Sequence, residues 1–128
     1  MKLFGKREPN YVVWMEHELQ QGTQVPMIEV DETFIEEARQ LPKTPRYGHL
    51  IRVGLFLEGD QIVVARNKKR VARMEPSFAV YYLKEMKWLH DKRLTGVTEA
   101  CIKPKSSKVS HSLLLNRSAG AMFDGGIL

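Results

Sequence analysis

The chain has 128 residues, 43% apolar and 27% charged, with 20 Lys and Arg against 15 Asp and Glu and a net charge of +5. That is the make-up of a folded globular chain, long enough to bury roughly two-thirds of the surface it exposes when unfolded. It excludes an internal disulfide, because Cys101 is the only cysteine, and a membrane-spanning helix, because no apolar run approaches the ~18 residues one requires.

One domain over 1–128 is expected. The opening MKLFGKREPN is charged without an apolar run behind it, so no secretory leader is expected and a cytoplasmic location, or a particle assembled there, is the simplest reading. Charge is distributed unevenly. Residues 1–41 hold four Lys/Arg against eight Asp/Glu, residues 42–93 twelve against five, and residues 94–128 four against two. An acidic first third on a basic remainder suits a protein with one side facing a polyanion. It also suits a subunit that packs on its own copies through opposite charges.

In chain order, YVVWMEHE (11–18) alternates with period two and predicts a strand, QQGTQ a turn, and VPMIEV a short strand. Pro26 cannot donate to a ladder and is expected at a sheet edge. Asp31 is a helix cap, with Glu32, Glu36 and Glu37 near the positive end of the helix dipole. Phe34, Ile35, Ala38 and Leu41 share one face, and Pro42 ends the helix. PKTPRYG, within 42–48, is the candidate subdomain joint.

HLIRVGLFLE (49–58) is the strongest strand, with Ile51, Val53, Leu55 and Leu57 on one face. Gly59-Asp60 turns into QIVVAR, and Asn67-Lys68 turns into KRVARM, giving a three-stranded antiparallel meander over 49–74. Pro76 opens a helix over 77–92 whose stripe of Phe78, Tyr82, Met86 and Leu89, widened by Ala79 and Leu83, is expected to pack on that meander. Residues 97–102 and 109–115 read as strands flanking the loop KPKSSK. The predicted class is α+β: an antiparallel sheet of about five to seven short strands with two helices. A meander followed by a long helix resembles small single-strand-binding coactivator-like folds, at the level of the fold alone.

The run RNKKRVAR (66–73) carries five positive charges and no acid. In a hairpin or in a helix it gathers at least three cations within about 10 Å, a spacing comparable to successive phosphates. The bland alternative is a charged edge that keeps a sheet from pairing with another. The candidate nucleic-acid-binding residues are Arg52, Arg66, Lys68, Lys69, Arg70 and Arg73, with Lys103, Lys105 and Lys108 of the second acid-free loop. Lys84 and Trp88 join them from the helix flank beside Tyr81, because single strands need cations for phosphates and flat side chains for bases. Trp88 has a plainer role open to it as cover for the sheet.

No motif names a reaction. His17 faces away from Glu16 and Glu18 in a strand, so the three cannot share a metal. His90 and Asp91 diverge as helix neighbours. Cys101 near His111 resembles a thiol with its base, but its apolar neighbours point to a buried structural cysteine. There is no phosphate loop, GxSxG or HExxH, and neither a cofactor nor a small-molecule substrate is indicated. The expected function is a non-enzymatic protein binding nucleic acid through phosphates, without strong sequence specificity. The alternative is a structural subunit of a virion-like or ribonucleoprotein particle, or of a homo-oligomer. In that reading the tail 117–128 is a flexible arm docked by Met122, Phe123, Ile127 and Leu128.

Overall fold

The computed structural model describes residues 12–14 and 23–115. Its elements run β1 (Val12–Trp14), β2 (Thr23–Ile28), α1 (Glu32–Arg39), β3 (Lys43–Thr44), β4 (Gly48–Glu58), β5 (Gln61–Arg66) and β6 (Lys69–Met74). There follow α2 (Pro76–Ala79), α3 (Leu83–Asp91), β7 (Thr95–Ile102) and β8 (Ser112–Leu115). The tail anchors Met122, Phe123, Ile127 and Leu128 lie outside the described residues, as do Glu16 and His17.

Six strands close into an antiparallel barrel, in the order β7, β8, β2, β6, β5, β4, with β4 returning to β7. β4 makes the closure because it is long enough to serve two neighbours. Its 11 residues pair with β7 over His49–Leu55 and with β5 over Gly54–Glu58. β1 adds in parallel to Thr95–Val97, and β3 forms a short hairpin with the start of β4. The class is the expected α+β, mostly sheet. The expected five to seven strands and two helices become eight and three among the described residues.

The meander over 49–74 forms as its pattern predicts. Ile51, Val53 and Leu55 are buried inside the barrel with Ile62 and Val64. Asn67 and Lys68 both take positive φ, 53° and 64°, the backbone that a two-residue turn between twisted strands requires. The register slips between Val64 and Ala65, so two residues of β6 face one of β5. That bulge leaves the Val71 carbonyl free to accept the Asp31 N–H at 2.7 Å, which fastens the start of α1.

A helix covers each end of the barrel. Asp31 caps α1, its carboxylate accepting the Phe34 N–H at 3.1 Å, and Phe34, Ile35 and Ala38 enter the core from the end where β2, β5 and β7 finish. Leu41 falls beyond the helix and is exposed, its carbonyl meeting His49 Nδ1 at 2.8 Å. At the other end Met86 and Leu89 of α3 are buried in the same core. The single helix expected over 77–92 is two. Val80, Tyr81 and Tyr82 are weak helix formers and interrupt it, and Phe78 ends up exposed rather than in the stripe. The likeness to a meander followed by one long helix does not survive this break.

Pro26 is not at an edge, since β2 pairs with both β8 and β6. The β6 ladder begins only at Met27, however, and beside Pro26 that strand has already given way to Glu75, whose N–H donates to the Pro26 carbonyl at 2.9 Å. No ladder bond is lost, so the proline is tolerated in an inner strand.

Candidate nucleic-acid interface

The arginines of the 66–73 run are tied down. Arg66 meets Glu37 of α1 at 3.2 Å and donates to the Arg52 carbonyl at 2.9 Å. Arg70 pairs with Glu58 at the end of β4. Arg73 pairs with Glu29, just past β2, at 2.8 Å; this hydrogen bond holds the Glu29 carboxyl below its ordinary range and raises the guanidinium. Each arginine thus staples the β5–β6 hairpin to a different neighbour. Such exposed pairs are screened by solvent and contribute little stability, yet they place a carboxylate wherever a phosphate would have to sit. A groove of about 450 Å³ beside this hairpin is lined by Arg70 and Arg73 but also by Glu29, Asp31 and Glu58.

What the run leaves outward is Lys68 and Lys69, both exposed at the hairpin tip. Arg52 is exposed on the outer face of β4, opposite Glu99 of β7. Lys84 and Trp88 lie on α3 at the far end of the barrel. Trp88 is partly buried against the core, with the Lys92 ammonium 5.9 Å from its ring centroid. They are therefore apart from the hairpin, and the expected interleaving of the two groups does not occur.

Lys103 is buried. Its Nζ donates to Gln24 Oε1 at 2.7 Å, its N–H donates to His111 Nδ1 at 2.9 Å, and its carbonyl accepts Nε and Nη2 of Arg39 at 3.2 and 3.1 Å. Bonded at backbone and side chain alike, it anchors the base of the loop and leaves Lys105 and Lys108 as the exposed cations.

Facing that loop, the β3–β4 turn supplies what reading the sequence missed. Lys43 and Arg46 are exposed, and with Gly48, Lys103, Pro104, Ser107 and Val109 they line a cleft of about 310 Å³ that, among the described residues, contains no acidic side chain. The turn is held by Thr44, whose hydroxyl donates to the Gly48 carbonyl at 2.8 Å and accepts the Tyr47 N–H at 3.0 Å. Arg46 lies 5.6 Å from the Tyr47 ring centroid. One signal was legible: from Pro42 to Leu57 the sequence holds three cations and no acid. It was masked because the same residues read as a linker. The cleft and the β5–β6 turn lie at the same end of the barrel, where β4 and β6 begin and β5 and β7 end.

His111 and Cys101 do not form a pair. The Cys101 thiol is pushed up to about 11, chiefly by burial, and Ser112 is its hydrogen-bonding neighbour. At neutral pH it therefore stays protonated. His111 is lowered, first by burial and then by Arg39 and Lys103, with Glu32 opposing. Nδ1 is already accepting from Lys103, so a proton there costs that bond. Below the unfolded value near 6.5 the unfolded chain takes up a proton that the folded chain refuses. His111 therefore contributes stability that is fully present above about pH 6.5 and is lost as pH falls through the folded value. Denaturation midpoints measured from pH 7.5 down to 5 are expected to decline, and His111→Gln, which keeps an acceptor but cannot titrate, is expected to flatten that decline.

Among the described residues no helix is long and apolar enough to cross a membrane. No family model, curated protein or solved structure matches the chain.

Proposed function

We propose that this chain is a non-enzymatic binder of nucleic acid that grips phosphates without strong sequence specificity, and that the grip lies in the cleft between the β3–β4 turn and the β7–β8 loop. The observation that carries this reading is the composition of the cleft wall. Among the described residues, Lys43, Arg46 and Lys103 line it with two hydroxyl side chains and no carboxylate, and Lys105 and Lys108 stand beside it. An acid-free concavity focuses positive potential, whereas the groove at the arginine run carries its own counter-ions. Lys68 and Lys69 extend the positive surface at the same end.

The test is binding to short single strands as a function of salt. For the parent, log Kd against log salt is expected to change by about 0.7 per neutralised phosphate. Replacing Lys43, Arg46, Lys105 and Lys108 with serine should weaken all sequences alike and flatten the slope by about 0.7 for each phosphate no longer neutralised. Replacing Arg70 and Arg73, already paired, should leave the slope nearly unchanged. If the cleft variant binds as the parent does, the reading is wrong.

The rival, a subunit of a larger assembly, draws on Phe78, Val80 and Tyr81, which are 39, 60 and 76% exposed and gathered around the break between α2 and α3. Solution mass without oligonucleotide separates the two readings: a multiple of the monomer mass that falls on Tyr81→Ser favours assembly.

A further inference from the structure

At the opposite end of the barrel from the cleft, β4 and α3 enclose a pocket of about 260 Å³. Met86 and Leu89, each 1% exposed, lie at its depth with Leu94. Phe56, 39% exposed, stands on one side, and the exposed side chains of His90 and Arg93 stand at the mouth. Among the described residues no acidic side chain lines it, and Asp91, next to His90 in sequence, is not among its walls. Among the described residues Arg93 makes no ion pair.

The physical chemistry of these walls selects a ligand. The volume is below the ~300–1,000 Å³ of sites for drug-sized molecules, so a single ring system fills it. An apolar depth with an accessible phenyl ring favours a flat group that stacks. A guanidinium at the mouth, without an ion pair among the described residues, favours an anion attached to that group and disfavours a basic peptide. Its companion His90 is a hydrogen-bond donor or acceptor for ring edge or anion alike.

We propose that this pocket is a nucleotide-unit site, holding a base against Phe56 with its phosphate on Arg93. The unit is either a free nucleotide or one unstacked residue of a single strand. The second source rests on the reading of the cleft as a phosphate grip and extends it, since a duplex has no free base to offer.

The test reads the Met86, Leu89 and Leu94 methyl resonances of the full chain during titration with thymidine 5′-monophosphate, thymidine, inorganic phosphate and an oligothymidylate. Saturable shifts of these methyls are expected with the monophosphate, weaker binding with thymidine, and none with phosphate alone. Phe56→Leu, at a half-exposed position, should weaken the monophosphate by about five- to 150-fold, the loss expected of a stacked base. Arg93→Gly should bring the monophosphate down to the affinity of thymidine. Arg93 has φ of 59°, so glycine relieves its backbone and the variant is expected to stay folded.

Shifts with oligothymidylate as well as monophosphate identify the strand as the source, and shifts with monophosphate alone identify the free nucleotide. Either supports the site. Absence of saturable shifts with both, or unchanged affinity in Phe56→Leu and Arg93→Gly, overturns it. The cleft variant distinguishes the two readings. If it loses strand binding while the methyls still respond to monophosphate, both stand. If strands bind through the cleft and the methyls never respond, only the nucleotide site falls.

Discussion

Gly48→Ala is expected to destabilise the chain by about 2–5 kcal/mol. Two costs add. A residue with a Cβ at φ of 79° loses about 1–2 kcal/mol against the left-handed backbone. The new methyl would also stand 2.6 Å from the Ile102 carbonyl oxygen, a backbone atom that cannot swing aside. Forcing β4 and β7 apart at that point costs a further ~1–3 kcal/mol. Gly59→Ala is the control, because Gly59 has a similar φ of 64° but nothing within 4 Å of its would-be Cβ. It is expected to lose only the conformational part. Chemical denaturation of both variants measures the difference. Equal losses would mean that the approach of Gly48 to Ile102 contributes nothing. Because Gly48 also lines the cleft, residual folded Gly48→Ala is expected to bind single strands more weakly than folded Gly59→Ala.

Phe34→Ala is expected to cost about 3–5 kcal/mol, the range for emptying a fully buried aromatic site. Phe34 is 2% exposed and enters the barrel end together with Ile35 and Ala38, where strands on all sides limit collapse around the vacancy. Phe78→Ala, at a side chain 39% exposed, is expected to stay within about 0.5 kcal/mol of the parent. The helical periodicity of the sequence gives both phenylalanines the same standing on a core-facing stripe, so the pair tests where the core lies. Urea midpoints with unchanged slope measure it. A loss at Phe78 equal to that at Phe34 would place the Phe78 ring in the core beside Ala79 and contradict its exposure.

Much of this protein is determined within short stretches of its sequence. Asp31 caps its own helix, Asn67-Lys68 makes its own turn, and the alternation from Ile51 to Leu57 names the inner face of β4. Each of these depends on atoms a few residues apart, so the local pattern suffices. The positive charge of the middle third is likewise a property of composition alone.

Tertiary structure decided the rest. An inward-facing strand has the same alternation in an open sheet as in a barrel, and closure rests on pairing β4 with β7 across some fifty residues of chain, from Leu50 to Cys101. The helix stripe from Phe78 to Leu89 divides: Ala79, Met86 and Leu89 reach the core, while Phe78, on the near side of the break, stays exposed. The arginines of the 66–73 run look like a phosphate grip until Glu29, Glu37 and Glu58, contributed by three other parts of the chain, arrive beside them. Lys43 and Arg46 look like linker residues until the β7–β8 loop comes to face them. Charge is legible in a sequence; whether a counter-charge stands within reach is a matter of distance, and only the folded chain sets it.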